Sequence, residues 1–359
     1  TEIETMQYIA KCVQEAVAED PRSPLPGRFV THTAVAISCN NIFVVSDFAP
    51  FGSINQCLVR MGGFNPVISE GSCKHIARDV LQGLAFLHDR GLAHQDISLE
   101  NVILLTSRSC PHLRACYPNL QLPDSAIPLT EGALIDMGHI GVHLRNPDTS
   151  GGGLRNSFMS ASNTTVNSAA TTCESTCTKE SEPCAECAQV HSRSASVDST
   201  AAAESSHERV SSSFCCSVPE YAKKEVPKFP LGKRLYQPPE ICAALNPPVI
   251  QVAPGTFRPA PPRLYCGMKV DIWQLGVMII YMITGRPPYE FFEDPSGRGG
   301  QLAQELQWFN DVKAGKLGER LVGQRISPTE KTYQTLATIV SSELLDLLQK
   351  MLAFDPDNR

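Results

Sequence analysis

Two short segments hold the residue types that could do chemistry. In His94-Gln95-Asp96-Ile97-Ser98-Leu99-Glu100-Asn101, an aspartate and an asparagine stand five residues apart. Such a carboxylate can accept a proton from an attacking hydroxyl, and the amide oxygen can ligate Mg²⁺. Taken alone, this spacing is shared with loops of small-molecule phosphotransferases. Further along, Leu134-Ile135-Asp136-Met137-Gly138 reads as a strand running into Asp-x-Gly. A carboxylate there can bridge Mg²⁺ to nucleotide phosphates, and Gly138 permits a sharp backbone turn. Asp96, Asn101 and Asp136 can act together only if the two segments lie side by side around one ion.

Elements able to hold these segments flank them. Between Ser72 and Arg90 the apolar residues Ile76, Val80, Leu84 and Leu87 recur on one face, and Gly91 follows as a stop. That pattern predicts a helix delivering the chain to His94. Val102 to Leu105 is strand-like. Asp271 to Thr284 is apolar nearly all round, the mark of a helix buried inside a domain. Leu344, Leu348 and Met351 share one face of a helix over 343–351. At the start, Met6, Ile9, Val13 and Val17 predict a helix over 1–18, which Pro21, Pro24 and Pro26 then break. The runs 31–38 and 42–46, joined by Asn40-Asn41, predict a β-hairpin.

The chain has 359 residues, 42% of them hydrophobic, enough to bury a sizeable core. A net charge of −6 implies no strongly basic face, so nucleic acid is not an expected partner. The longest apolar run, Gly276 to Ile283, is too short to span a bilayer, so no membrane is expected either. No signal peptide is expected. The chain starts at Thr1 and not at a methionine, as a fragment or an incomplete gene model would. Fourteen cysteines at irregular spacing in a chain this long do not read as a secreted disulfide scaffold. They point to a reducing intracellular compartment, the cytoplasm or the nucleus.

Further motifs follow in order: Gly232-Lys233-Arg234-Leu235-Tyr236-Gln237-Pro238-Pro239-Glu240, Asp271-Ile272-Trp273-Gln274-Leu275-Gly276, Gly285-Arg286-Pro287-Pro288-Tyr289, and Leu352 to Arg359. Together with the first two segments they resemble the motifs of eukaryotic-type protein kinases, in that family's order. His94 to Asn101 resembles the HRDLKxEN catalytic loop and Asp136-Met137-Gly138 the DFG motif. Gly232 to Glu240 resembles the GTxxYxAPE end of the activation segment, and Asp271 to Gly276 the DxWxxG of the central helix. The resemblance implies an α+β, protein-kinase-like fold with a mostly α-helical C-lobe. It implies Asp96 as catalytic base, Asn101 and Asp136 as Mg²⁺ ligands, ATP as cofactor and a protein substrate. It further implies a Glu240–Arg359 ion pair, Asp271 as a holder of the catalytic-loop backbone, and His94 and Met137 in an apolar stack coupling the lobes. Ile42 to Ala49 resembles the fifth strand and hinge, with Ser46 as gatekeeper and Asp47 and Ala49 offering backbone groups to adenine. Glu2 aligns with the glutamate that pairs with the nucleotide-binding lysine. A glutamate on a solvated helix face reads equally well there.

The pattern departs from the family in places. No Gly-rich phosphate loop and no strand lysine precede the first helix, so the N-lobe is expected to be truncated, lacking its first three strands. Ser98 replaces the catalytic-loop lysine that neutralises the transferring phosphoryl, a loss that slows transfer unless another cation substitutes. Gln95 replaces the arginine that grips an activation-segment phosphate. Met137 for Phe keeps the apolar volume.

The resulting organisation is a partial N-lobe over 1–50, the first part of the C-lobe over 51–140, an insert in the activation segment over 141–230, and the second part over 231–359. The insert is rich in Ser, Thr and Cys with few large apolar residues, and is expected to be disordered. Its Cys173, Cys177, Cys184 and Cys187 suit either a zinc site or an unstructured tract, and its hydroxyls are potential phosphorylation sites. Pro-rich 245–263 is expected to be extended, with Pro259-Ala260-Pro261-Pro262 as a spacer or an SH3-type ligand. The stretch 106–130 shows no period. Two functions remain open, a Ser/Thr-type protein kinase and a catalytically silent pseudokinase scaffold. A small-molecule phosphotransferase has no use for the Tyr236 to Glu240 and Asp271 to Gly276 motifs.

Overall fold

A helix apolar on every side has no face to give to water, and the residues from Gly267 to Thr284 form such a helix. In the computed structural model Trp273, Leu275, Met278 and Ile280 on it are at most 1% exposed. The structure describes residues 2–30, 32–37, 40–62, 67–107, 112–117, 119, 121–140, 223–225, 232–245, 249–259, 264–288, 301–320 and 334–359.

In chain order the helices are α1 (Glu2–Glu19), α2 (Ile54–Met61), α3 (Glu70–His88), α4 (Leu113–Cys116), α5 (Pro239–Leu245), α6 (Gly267–Thr284), α7 (Gln301–Lys313), α8 (Leu336–Ile339) and α9 (Ser342–Met351). The strands pair in antiparallel twos. β1 (His32–Ile37) pairs with β2 (Ile42–Ser46), and β3 (Val102–Thr106) with β4 (Thr130–Leu134). β5 (Lys223–Glu225) pairs with β8 (Leu264–Cys266), and β6 (Val249–Ala253) with β7 (Thr256–Pro259). The architecture is α+β, as expected.

The helix α3 buries Ile76, Val80, Leu84 and Leu87, the stripe that the sequence marks, and packs against α6 and β4. Ser69 caps its start by accepting from the Ser72 N–H, and Gly91 turns the chain beyond its end with φ of 71°. The helix α9 is capped by Ser341 and lays Leu344, Leu348 and Met351 into the same core. Glu70 ties the two helices, accepting from the Ser341 backbone N–H at 2.8 Å and from the Ser341 hydroxyl. At the other end, Met6, Ile9 and Val13 of α1 are buried in one cluster with Met137.

Two sequence expectations need correction. Lys223–Glu225 falls inside the range expected to be disordered, yet it is a strand held by Tyr265 and its neighbours. The rest of 141–222, including the four-cysteine cluster, lies outside the described residues. The Pro-rich stretch 245–263 contains the hairpin of β6 and β7. Its Pro254-Gly255 turn works because proline presets φ at the first central position and Gly255 adopts a φ of 75° at the second. Within 106–130 the described residues include α4 and a 3-10 turn over Asp124–Leu129, and they bury Leu113, Leu122, Ile127 and Leu129.

The C-terminal Arg359 is locked into this core. Its guanidinium meets Glu240 at 2.8 and 3.0 Å, donates to the Ala353 carbonyl, and lies 4.7 Å over the Trp273 ring. Its side chain is fully buried and that of Glu240 is 16% exposed. Removing one partner strands the other charge, so Glu240→Ala should lower the unfolding free energy by about 3–5 kcal/mol in urea titration. A loss under about 1 kcal/mol would give the pair only the weight of a surface ion pair.

Candidate active site

Two side chains of α6 hold the backbone of the loop that follows α3. Asp271 is fully buried. One of its carboxylate oxygens accepts from the His94 N–H at 2.9 Å and from His88 Nε2 at 2.8 Å, and the other accepts from the Gln95 N–H at 2.5 Å. One turn on, Gln274 accepts from the Ile97 N–H at 2.9 Å and donates to the Gln95 carbonyl at 3.0 Å. Tyr236 lends its hydroxyl as acceptor to the Leu99 N–H. The loop is therefore fixed peptide by peptide from below.

His94 is buried and joins the loop to the Asp-x-Gly segment. Its Nε2–H donates to the Ile135 carbonyl at 2.9 Å, while Nδ1 accepts from the Asp96 N–H at 3.3 Å. Only the neutral ring with the proton on Nε2 satisfies both bonds. Burial pushes its pKa down and outweighs the opposing pull of Asp271.

Asp96 and Asn101 meet directly. The Asn101 amide nitrogen donates to the Asp96 carbonyl at 2.9 Å and to its carboxylate at 2.7 Å. That fixes the amide so that Oδ1 is turned away from Asp96, and no described residue donates to it. Strand pairing brings in Asp136: Val102 faces Leu134 across the ladder, and one residue beyond, the Ile135 N–H donates to the Asn101 carbonyl at 3.0 Å. Asp136 follows at once, with its side chain in an exposed position and its backbone at φ 62°, ψ 67°. Among the described residues, Gln95 and Asp136 are the non-glycine positions with positive φ. Each costs about 1–3 kcal/mol, a strain that tends to collect at functional sites. Met137, next in line, is fully buried and packs toward α1.

The remaining expected residues sit differently. Glu2 opens α1, but its side chain lies outside the described residues. Ser46 ends β2 and Asp47 follows it, both exposed. Ala49 is half-buried against Val30, Ile103 and Ala133, and its carbonyl accepts from the Gly52 N–H. Its N–H is therefore the group it could offer to a ligand.

Sequence reasoning passed over three residues. Lys233 donates from Nζ to Asp96 at 3.2 Å and to the Ser98 hydroxyl at 2.9 Å. Gln274 carries the loop as described. Tyr265 donates to the Gln95 side chain at 2.6 Å. A signal for Lys233 was available, namely a lysine in the Gly232 to Glu240 motif together with the lysine missing at Ser98.

Residues 28–116 match the model of the protein kinase domain. Over this stretch the chain is similar to the eukaryotic-type protein kinases. It is 36% identical over 64 residues to the Saccharomyces cerevisiae "Serine/threonine-protein kinase PKH3", covering 18% of this chain and 7% of that one. It is 34% identical over 76 residues to the mouse "Mitogen-activated protein kinase kinase kinase 19", covering 21% and 6%. It is 41% identical over 59 residues to the Drosophila melanogaster "Serine/threonine-protein kinase PAK mbt", covering 16% and 9%. The chain thus spans less than a tenth of the length of each of these relatives. The match to the kinase domain takes in Asp96 and Asn101 and ends before Asp136, Lys233 and Asp271. The hydrogen bonds above attach those later residues to it.

The buried neutral His94 gives this chain a pH signature. Its folded pKa lies below the unfolded value of about 6.5, so at mildly acid pH the unfolded chain binds the extra proton. Its contribution is complete above about pH 6.5 and is lost as pH falls toward the folded value. In urea unfolding between pH 7.5 and 5.5, wild type should lose stability more steeply than His94→Leu, by up to about 1.4 kcal/mol per pH unit. Parallel slopes would mean that His94 takes up a proton without cost.

Proposed function

We propose that this chain supplies the catalytic machinery of a Ser/Thr-type protein kinase, which transfers the γ-phosphoryl of Mg-ATP to a protein hydroxyl. The observation that carries the reading is the hydrogen-bonded run Asp96–Asn101–Ile135, which seats a carboxylate and an amide beside the Asp136 segment. The donor set suits magnesium: Asn101 Oδ1 and the Asp136 carboxylate are hard oxygens, and Mg²⁺ prefers few protein ligands plus phosphate and water. When bound, the ion would neutralise charge on the phosphates.

Asp96 then takes the proton of the acceptor hydroxyl. Its carboxylate is aimed by Asn101, and its backbone N–H is bound by His94, whose own N–H is held by Asp271. Asn101 and Asp136 would hold the ion, and the peptide groups at Asp47 and Ala49 would receive adenine. Glu2 is the residue of this chain that would pair with a nucleotide-binding lysine. Ser or Thr as acceptor rests on the Ile97 to Asn101 form of the loop and on the Tyr236 to Glu240 segment. The described cysteines Cys12, Cys57, Cys73, Cys116, Cys242 and Cys266 are thiols, which suits action in a reducing intracellular compartment.

The test is Mg-ATP-dependent phosphorylation of a Ser/Thr peptide library by the full-length protein. Asp96→Asn and Asp136→Asn should each reduce kcat by about 10²–10⁴-fold, with Asp136→Asn also weakening dependence on Mg²⁺. Wild type no faster than either variant would replace the enzyme with a pseudokinase scaffold.

A further inference from the structure

The catalytic loop carries no cation of its own. Ser98, fully buried, stands where the transferring phosphoryl needs a positive neighbour, and Gln95 is neutral. Yet a cation is there. Lys233 reaches in from a segment 135 residues away and donates to the Ser98 hydroxyl at 2.9 Å and to Asp96 Oδ2 at 3.2 Å. Its own backbone N–H donates to Asp96 Oδ1 at 3.0 Å. Both ends of one residue therefore bind the two oxygens of one carboxylate.

The approach is built in by the preceding residue. Gly232 has φ of 72°, and a Cβ there would fall 2.5 Å from the Gln95 carbonyl and 3.1 Å from Asp96. Only glycine lets the segment come this close. The Lys233 side chain remains 34% exposed, so its ammonium is open on one side while two of its donors are engaged. An ammonium has three donors, and among the described residues the third meets no acceptor, which leaves it for a ligand.

We propose that Lys233 is a catalytic residue: it supplies the phosphoryl-neutralising cation that Ser98 leaves out of the loop. This rests on the kinase reading above. In the transfer, the bond from the acceptor oxygen to the γ-phosphorus forms as the bond from that phosphorus to the β–γ bridging oxygen breaks. The hydroxyl proton passes to Asp96, ADP leaves, and Lys233 keeps its proton while donating a hydrogen bond to a γ-phosphoryl oxygen. Any hydroxyl within reach of Asp96 puts the phosphoryl it attacks within a few ångströms of a cation at 3.2 Å from the same carboxylate. The serine is then the counterpart of the displaced charge, a small acceptor that steers the lysine instead of colliding with it.

The experiment measures kcat and KM for ATP with the same peptide library, using full-length wild type, Lys233→Met, Ser98→Lys/Lys233→Thr and Asp136→Asn, with thermal unfolding of each. Lys233→Met should lose about 10²-fold or more in kcat with KM for ATP within about threefold. Returning the charge to the loop in Ser98→Lys/Lys233→Thr should bring kcat back to within about tenfold of wild type. A lysine that merely braces the segment would not be replaced by one arriving from the opposite side. The proposal is overturned if Lys233→Met keeps most of its kcat, or if the double variant is folded and no faster than Lys233→Met. Wild type no faster than Asp136→Asn overturns the kinase reading itself and takes this inference with it.

Discussion

The geometry of the site depends on one buried carboxylate. Asp271 sits on α6, the most apolar of the described helices, with no exposed surface, where an uncompensated charge would cost several kcal/mol. It is compensated by three donors, two of them the consecutive peptide N–H groups of His94 and Gln95. Consecutive amides converge on one anion only where the backbone leaves its ordinary region, and Gln95 does so with φ of 64°. The left-handed turn and the buried charge thus require one another. Their joint result is a loop whose direction is set by the core, so the packing of α6 against α3 determines where the Asp96 side chain points.

From that anchor, order passes along a short chain of peptides. His94 couples the loop to Ile135, Ile135 couples back to Asn101, and the β3–β4 ladder keeps the two segments in register. No single bond in this chain is unusual. What makes the arrangement stiff is that Asp96 is held at its N–H, its carbonyl and its carboxylate, so it cannot rotate without breaking contacts to His94, to Asn101 and to Lys233.

How much of this was legible in the sequence follows from the range of each interaction. The helices α3 and α9 announce themselves because burial repeats every three or four residues, as Ile76, Val80, Leu84 and Leu87 do. Asp96 and Asn101 were legible because one turn of loop suffices to bring them together. The strand Lys223–Glu225 was not: three charged residues carry no pattern, and their conformation is imposed by a partner at Tyr265. The β6–β7 hairpin was hidden by flanking prolines that read as extended chain, although its Pro254-Gly255 turn was in view. Lys233 was the hardest to see, since a lysine beside an arginine ordinarily marks a solvated face, and its partners lie 135 and 137 residues away.

Gln95 and Ser98 look like two losses when the loop is read alone. In the folded chain each has an answering residue on another segment. The Gln95 side chain is engaged by the Tyr265 hydroxyl, a neutral bond inside the protein, and β8, which carries Tyr265, is paired with β5. Ser98 is answered by Lys233, on the segment that leads into α5 and its Glu240–Arg359 pair. At Ser98 the positive charge therefore stands on the segment that packs on the loop and not on the loop itself. A loop that carries its own cations has them once it is folded, whereas this one has its cation only when the Gly232-Lys233 turn lies against Gln95. The electrostatics of Asp96 are in that sense a property of the contact between two segments, and the absence of a Cβ at Gly232, which would stand 2.5 Å from the Gln95 carbonyl, is what lets that contact be close.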